Sequence, residues 1–229
     1  MPVTSRFRHG MSNLGGDRHQ GVFIIQILGG NKMVRKRRIW SPEHFHHVGN
    51  RGNWQENLFR ERRDYFVFLK ILNRVHQFSK MEICSYCLMS NHYHLLIRTR
   101  SIPLSSVMRR INKSYTDYFN EKYEVKGHLF EKRFFSNPVY DDYGLLEVSR
   151  YIHMNPVDAK ISSTPQNYYW SSYKYFFSPY IKQPNFFTSN PIVSSFPGES
   201  IHAKKGTYCQ WLERAYRLDS LNKKNDLEQ

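Results

Sequence analysis

Residues 81–98, MEICSYCLMSNHYHLLIR, decide the fold because they contain two β-strand patterns joined by a short turn. Met81–Met89 and His92–Arg98 are rich in the apolar and aromatic residues that suit a strand. Ser90 and Asn91 between them favour a tight turn. The stretch therefore predicts a β-hairpin within an antiparallel sheet.

Helical patterns lie on both sides of this hairpin. Asp64–His76 has apolar residues at helical spacing, and so has Leu104–Tyr123. A third helix should begin near Asp141, whose acidic side chain suits a helix N-terminus. It should end near Asn155, because Pro156 disfavours the helical conformation in the residue before it.

Two extended segments complete the order of the elements. His44–Val48 is interpreted as a strand before the first helix, and Gly127–Val139 is extended and aromatic after the second. The order is then β-α-β-β-α-β followed by a helix. It predicts a split-βαβ, ferredoxin-like α+β sandwich with an antiparallel sheet, to which a further C-terminal helix is added.

The chain divides by composition into three parts. Residues 1–32 lack helical or strand periodicity and are interpreted as an N-terminal extension outside the domain, which spans 33–177. After Ser178 the chain is rich in Pro, Ser and Asn, with one short amphipathic piece around Tyr208–Arg217. Residues 178–229 are therefore interpreted as a linker and a peripheral helix.

Charge and aromatic content indicate a polyanionic partner. The 229 residues include 34 Lys and Arg against 19 Asp and Glu, a net charge of +15, with 16 Tyr and 16 Phe. Nucleic acid is the commonest polyanion for such a chain. No run approaches the ~20 apolar residues that span a bilayer. Three cysteines exclude a disulfide scaffold and favour a reducing cytoplasm. In a prokaryote we expect a DNA-binding protein of this kind to be associated with the nucleoid.

His92 and His94 are candidate metal ligands. Side chains alternate along a strand, so these two imidazoles project from one face while Tyr93 projects from the other. They lie about 7 Å apart along the strand at a rise of ~3.4 Å per residue, and a rigid strand can present both to one metal ion. Two surface histidines without a ligand are the plainer alternative.

The third predicted helix offers a nucleophile. Tyr151 and Asn155 are four residues apart and share one face of it. A phenol beside a metal ion can attack a phosphodiester. The alternative is that Tyr151 packs and Asn155 caps the helix. Tyr115 and Tyr118 are rival nucleophiles, but their helical spacing with apolar residues favours a place in the core.

A second group of histidines, His44, His46 and His47, accompanies the first predicted strand. If that strand neighbours the strand of His92, as the ferredoxin-like sandwich requires, one of these imidazoles comes near the site. We expect it to be buried or hydrogen-bonded to the backbone rather than to ligate a metal.

Short motifs between Met33 and Tyr173 occur in the order that one known family shares. They are Arg35-Lys36-Arg37 before Ile39-Trp40, Phe45–Val48 with Arg51–Asn53, Leu88–Ile97, Tyr118–Asn120, Gly127–Phe130 with Arg133-Phe134, Tyr151–Val157 and Tyr169–Tyr173. With these motifs the chain resembles the single-tyrosine HUH transposases, and among them the REP-associated tyrosine transposases.

The resemblance implies an enzyme that cuts single-stranded or hairpin DNA without an external energy source and acts as a homodimer. His92 and His94 would be the HUH histidines and would hold a divalent cation, Mg²⁺ or Mn²⁺. Tyr151 would attack a phosphate to give a 5′-phosphotyrosine and a free 3′-OH. Asn155, shorter than the Gln of some relatives, would be a third metal ligand. Tyr93 is bulkier than the aliphatic residue usual in the motif.

Clusters of basic side chains are the candidate DNA contacts, because ammonium and guanidinium groups bind phosphates. The candidate contacts are Arg35, Lys36, Arg37, Arg38, Arg51, Arg109, Arg110, Lys113, Lys132 and Arg133.

A non-catalytic nucleic-acid-binding protein on the same fold, such as a regulator, is the alternative function. The complete set of His92, His94 and Tyr151 favours the enzyme.

Overall fold

An antiparallel sheet of four strands organises residues 40–225, the part of the chain that this computed structural model describes, with side chains described to residue 218. The strand order is β2-β3-β1-β4, and every neighbouring pair is antiparallel. This is the order of a ferredoxin-like sandwich, so the predicted fold is confirmed. The strands are Phe45–Arg51 (β1), Glu82–Leu88 (β2), His92–Arg98 (β3) and Phe135–Val139 (β4).

The predicted hairpin is the β2–β3 pair. Tyr93, Leu95 and Ile97 of β3 are fully buried on one face of the sheet. Two helices, α1 (Arg62–Ser79) and α2 (Leu104–Tyr123), cover that face. Tyr93 packs against Phe68 of α1, and its hydroxyl donates to Asn112 Oδ1 of α2 at 2.6 Å. The alternation of side chains along β3 therefore leaves His92 and His94 on the opposite face.

A third helix, α3 (Asp142–Asp158), covers the histidine face. It begins as predicted, since the Asp141 carboxylate accepts a hydrogen bond from Gly144 N at 2.6 Å. The predicted end near Asn155 is wrong by about one turn. Pro156 lies inside the last turn, where its missing N–H removes a single helical hydrogen bond, and Ala159 N still donates to Asn155 O at 3.0 Å.

The C-terminal segment is part of the core, which corrects the interpretation of residues 178–229 as a linker and a peripheral helix. It contains α5 (Asn190–Val193) and α6 (Ile201–Asn225), after the short α4 (Lys174–Phe177). The Pro- and Ser-rich composition suggested a linker, but aromatic and aliphatic side chains within it bury against the sheet and α3. The buried hydrophobic residues are Phe186, Phe187, Ile192, Val193, Phe196, Tyr208 and Leu212.

The same segment also covers the β2 edge of the sheet. Ile83 N donates to Phe186 O at 2.9 Å, and Thr188 N donates to Ile83 O at 3.0 Å. Farther along β2, Leu88 N donates to Trp170 O at 3.0 Å. An unpaired strand edge would invite association with other chains, and these bonds remove that exposure. Within the described residues, no helix is both long and apolar enough to cross a membrane.

Candidate active site

His92 and His94 stand at the start of β3 on the face that α3 covers. Their ring centroids are 5.1 Å apart, and the rings are nearly perpendicular. His94 is buried, whereas His92 is partly open to solvent. Burial lowers the pKa of His92 and holds the pKa of His94 well below its usual range. Both rings are therefore neutral near pH 7, the form that binds a metal ion.

The tautomer of His92 is fixed by Asn91. The Asn91 amide donates through Nδ2 to Gln55 O at 3.3 Å, which turns its Oδ1 toward His92. Oδ1 can only accept, so the His92 Nδ1–H, 2.7 Å away, is the donor. The Nε2 atom of the neutral ring consequently carries a lone pair. Sequence reasoning assigned Asn91 only to a turn and missed this contact.

His47 of β1 is the partner of His94. Its Nε2 lies 3.1 Å from His94 Nδ1, and burial lowers the pKa of His47 to about 4. We expected burial or a bond to the backbone for one member of this histidine group; His47 is buried, but its partner is another imidazole. Of the other two, His44 bonds to Ser41 Oγ at 2.7 Å, and His46 is buried on the far face.

Helix α3 brings Tyr151 and Asn155 to these histidines. Asn155 Oδ1 lies 3.2 Å from His92 Nε2. The Tyr151 ring is edge-on to His94 at 5.4 Å between centroids and to His47 at 5.6 Å. Tyr151 remains 41% exposed, so a substrate can reach it from solvent. The structure therefore brings together all four predicted residues of the catalytic and metal site within one chain.

His92 Nε2 and Asn155 Oδ1 face each other at 3.2 Å, and this contact raises the pKa of His92 against the lowering that burial causes. The Asn155 amide also acts to lower the pKa of the Tyr151 phenol. In the neutral His92 tautomer that Asn91 favours, the Nε2 lone pair and the Asn155 oxygen could both serve as ligands of one cation. The spacing matches the ~3 Å that separates adjacent ligands of a six-coordinate ion with bonds near 2.1 Å.

The described residues contain no group of three or more His, Cys, Asp and Glu side chains that could hold a metal ion. The donor set here is different in kind, because it combines two imidazoles with one amide oxygen. Mg²⁺ and Mn²⁺ commonly complete such partial sets with water and substrate phosphate oxygens. The residues present thus fit a divalent cation whose remaining ligands come from outside the protein.

A network of buried polar groups holds α3 in place. Ser149 Oγ lies 2.6 Å from Ser85 Oγ of β2 and 2.8 Å from Tyr208 Oη of α6. His153 Nδ1 lies 2.6 Å from the same Tyr208 hydroxyl, and His153 Nε2 lies 2.7 Å from Ser172 Oγ. Because His153 stands between Tyr151 and Asn155, these bonds fix the direction in which both project. Sequence reasoning missed the network.

Gly49 of β1 makes room for an aromatic wall. A Cβ at Gly49 would collide with the ring of Phe135 on β4. That ring lies 5.0 Å from the His47 ring and 6.0 Å from the His94 ring. The absence of a side chain at Gly49 therefore lets Phe135 pack beside the histidines.

The groups around Tyr151 shift the pKa of its phenol in opposite directions. Burial raises its pKa, and the nearby Asp158 carboxylate adds to that rise. The Asn155 amide and the positive charge of Arg51 act in the opposite direction. Arg51 is exposed and pairs with His92 in the β1–β3 register, which places it on the same face beside the site.

Two more of the predicted DNA contacts, Lys132 and Arg133, lie just after a backbone hydrogen bond to Arg51. Glu131 N donates to Arg51 O at 3.1 Å, and the exposed Lys132 and Arg133 come next in the chain. Arg35–Arg38 lie outside the described residues, as do residues 1–32, so those predictions concern a part of the chain that the structure does not describe.

The predicted contacts on α2 lie on the other side of the sheet. Arg109, Arg110 and Lys113 are exposed on α2, which covers the face opposite to the histidines. The Arg110 guanidinium lies over the Phe78 ring at 4.4 Å from its centroid, and Lys113 forms a 2.6 Å ion pair with Asp117. These residues do not converge on Tyr151.

The rival tyrosines also belong to the α2 side. Tyr115 is fully buried and its hydroxyl donates to Leu58 O at 2.6 Å. The Tyr118 hydroxyl donates to Asp64 Oδ1 at 2.8 Å. Neither stands near His92 or His94, and both have the packing role that their spacing predicts.

Comparison with known proteins identifies the family that this sequence matches. The family model of the IS200-like transposases matches residues 43–155. This region of the chain belongs to the IS200-like transposase family. The predicted resemblance is confirmed over this region, which ends at Asn155, so α4, α5 and α6 lie beyond it.

A solved structure of a REP-associated tyrosine transposase bound to a REP hairpin is similar to this chain. The two are 17% identical with a TM-score of 0.55, and the similarity covers 67% of this chain and 90% of the other. At that identity the likeness establishes a shared fold. No curated protein matches the chain.

Proposed function

We propose that this protein is a transposase that cleaves and rejoins single-stranded or hairpin DNA in a reaction that needs a divalent cation and passes through a 5′-phosphotyrosine on Tyr151. The observation that carries the proposal is the meeting of His92 Nε2 and Asn155 Oδ1 at 3.2 Å, one helical turn from a solvent-accessible phenol.

His92, His94 and Asn155 would hold the cation, which is Mg²⁺ or Mn²⁺. A cation bound there would withdraw charge from a phosphate oxygen and make the phosphorus more open to attack. The neutral His92 ring keeps its Nε2 lone pair available because Asn91 occupies its Nδ1. His94 would offer its Nε2 in the same way when its Nδ1 donates to His47 Nε2. Mn²⁺ is at least as well suited as Mg²⁺, since imidazole nitrogen is a softer ligand than water or carboxylate.

Tyr151 would attack the phosphorus through its hydroxyl oxygen. The Tyr151 Oη–P bond forms as the P–O3′ bond breaks, the phenol gives up its proton, and the 3′ oxygen takes one up. One phosphoester bond replaces another, which is why no external energy source is required. Arg51 and the Asn155 amide favour the ionised phenol and therefore assist the attack.

The DNA partner follows from charge and from the family. The chain carries a net charge of +15, and Arg51, Lys132 and Arg133 gather at the end of β1 that bears the site. The similar transposase was solved with a REP hairpin. A hairpin with an unpaired flank would offer both a duplex for the basic residues and a flexible strand for Tyr151.

We propose further that each subunit uses its own tyrosine. Tyr151 lies against His94 of the same chain, and the Ser149–Tyr208 bonds tie its helix to the same chain's α6. A homodimer remains our expectation for the assembly. In such a dimer, mixing the His94→Ala and Tyr151→Phe variants would not restore activity, because neither subunit has a complete site.

The decisive experiment is trapping of the covalent product. The purified protein is incubated with labelled single-stranded DNA from the flanks of its own gene, with Mn²⁺, Mg²⁺ or EDTA, and run on a denaturing gel. We expect a cation-dependent protein–DNA adduct for the wild type and none for His92→Ala or His94→Ala. Tight binding without an adduct under every cation would instead indicate a non-catalytic nucleic-acid-binding protein.

A further inference from the structure

Trp54 is displayed to solvent directly after β1. It is 86% exposed, whereas Trp40, Trp170 and Trp211 are each partly buried against the core. An indole in water contributes nothing to the hydrophobic stabilisation of the fold. A single exposed aromatic side chain is common on protein surfaces, so the case for a ligand depends on the backbone that presents the indole.

The backbone at Trp54 is also unfavourable for a bulky residue. Trp54 has φ 51° and ψ 26°, and Gln55 follows with φ 61°, so two successive residues are left-handed. Asn and Gly adopt this conformation far more readily than Trp. Non-glycine residues held in it concentrate at ligand-binding sites, where the surrounding structure enforces the strain.

Several hydrogen bonds enforce this conformation. Gly52 N donates to Asn91 O, and Asn53 N donates to Leu129 O, both at 2.8 Å. Gln55 N donates back to Gly52 O at 3.1 Å, which closes a tight turn around Trp54. A Cβ at Gly52 would collide with the backbone of Glu56, so the turn admits no side chain there. The indole is thus presented by a rigid loop.

The same loop is joined to the active site by Asn91. The Asn91 side chain accepts from His92 Nδ1 at 2.7 Å and donates to Gln55 O at 3.3 Å. Arg51, which pairs with His92 across the sheet, precedes Trp54 by three residues. A phosphate held near Arg51 and His92 would leave its neighbouring nucleotide within reach of this loop.

We propose that Trp54 is a stacking platform for one unpaired base of the DNA strand that enters the site. The proposal rests on the proposed function for the nature of the substrate. Stacking on an indole needs an unpaired base, and it tolerates any of the four. The basic side chains Arg51, Lys132 and Arg133 around this end of β1 favour a polyanionic strand over a second protein chain, which the test includes as an outcome.

The test compares Trp54→Asn with the wild-type full-length chain. The probes are a single-stranded 15-nucleotide oligothymidylate and an abasic strand of equal length, both in EDTA so that cleavage does not interfere. We expect Trp54→Asn to bind the oligothymidylate about tenfold more weakly and to bind the abasic strand as the wild type does. Its melting temperature should equal or exceed that of the wild type, because Asn suits the left-handed backbone.

Tyr180→Asn is the matched control, since Tyr180 is 95% exposed and lies outside the loop. It should leave both affinities unchanged. Equal affinity of Trp54→Asn and the wild type for oligothymidylate would overturn the proposal, and so would an equal loss on the abasic strand. A change of oligomeric state in Trp54→Asn would assign the indole to an interface between copies of the chain and would also overturn it.

The covalent adduct assay separates this proposal from the proposed function. If the wild type forms no adduct while Trp54→Asn loses affinity only for the strand with bases, the base platform stands and the cleavage chemistry fails. If the adduct forms and the Trp54→Asn affinities are unchanged, the chemistry stands and the platform fails.

Discussion

The two faces of the sheet are built from different chemistry. Under α1 and α2 the side chains are mainly apolar and aromatic, as where Tyr93 packs on Phe68. Under α3 they include imidazoles and hydroxyls, as where His47 meets His94. Buried polar groups cost stability unless each is paired. A face that keeps so many of them is therefore the face on which we propose that the chain performs its chemistry.

The largest expected effect distinguishes a tyrosine on each face. Tyr151→Phe removes the proposed nucleophile and should abolish the covalent adduct, while unfolding free energy changes by less than about 0.5 kcal/mol because Tyr151 is partly exposed. Tyr115→Phe should keep the adduct and lose about 1–3 kcal/mol, since it leaves Leu58 O without its buried donor. Adduct yield and urea unfolding measure the two effects.

Peptide mapping of the trapped adduct provides the stricter check. DNA attached to the α2 peptide that contains Tyr115 and Tyr118 would transfer the nucleophile to the other face of the sheet. The comparison between the faces would then be wrong, even if the adduct itself depended on Mn²⁺ as expected.

The sequence predicts the apolar face well because its signals are local. Side-chain alternation gives the β3 bounds, and helical spacing gives those of α2, Leu104–Tyr123. The face assignments of Tyr93 and of His92 follow from the same period of two. Even the roles of Tyr115 and Tyr118 follow from the period of their helix.

The polar face is less accessible to such reasoning, because its contacts join residues far apart in the chain. Tyr208 reaches Ser149 across 59 positions, and no periodicity in the C-terminal segment indicates that contact. His47 reaches His94 across 47 positions. Sequence patterns supply the residue types of the site, whereas tertiary packing decides which of them meet.

The next largest effect concerns the support of His94. His47→Phe keeps an aromatic ring against Phe135 but removes the nitrogen that lies 3.1 Å from His94 Nδ1. Loss of an outer partner of a metal-bound imidazole typically costs 10- to 100-fold in metal affinity. We therefore expect the Mn²⁺ concentration for half-maximal adduct formation to rise by about that factor. His44→Phe, on the flank of the same strand, should leave it unchanged.

A smaller effect is expected where α6 holds the helix of the nucleophile. Tyr208→Phe deprives Ser149 and His153 of a buried partner and should lower the unfolding free energy by about 1–3 kcal/mol. The rate of adduct formation should fall as well, because α3 is then less firmly oriented. Tyr118→Phe, which loses a hydroxyl on the other face, should reduce stability without slowing the adduct. Equal rates for the two variants would mean that α6 serves stability alone.

The smallest effect is expected in the salt dependence of DNA binding. Each phosphate contact contributes about one unit to the slope of log K against log salt. Arg51→Gln, beside His92, should reduce that slope by about one for a single-stranded probe, whereas Arg109→Gln, on the face of α2, should leave it unchanged. Both arginines are exposed, so neither variant should unfold the protein. Equal reductions would show that DNA wraps onto both faces of the sheet, and that the separation between a packing face and a DNA face is wrong.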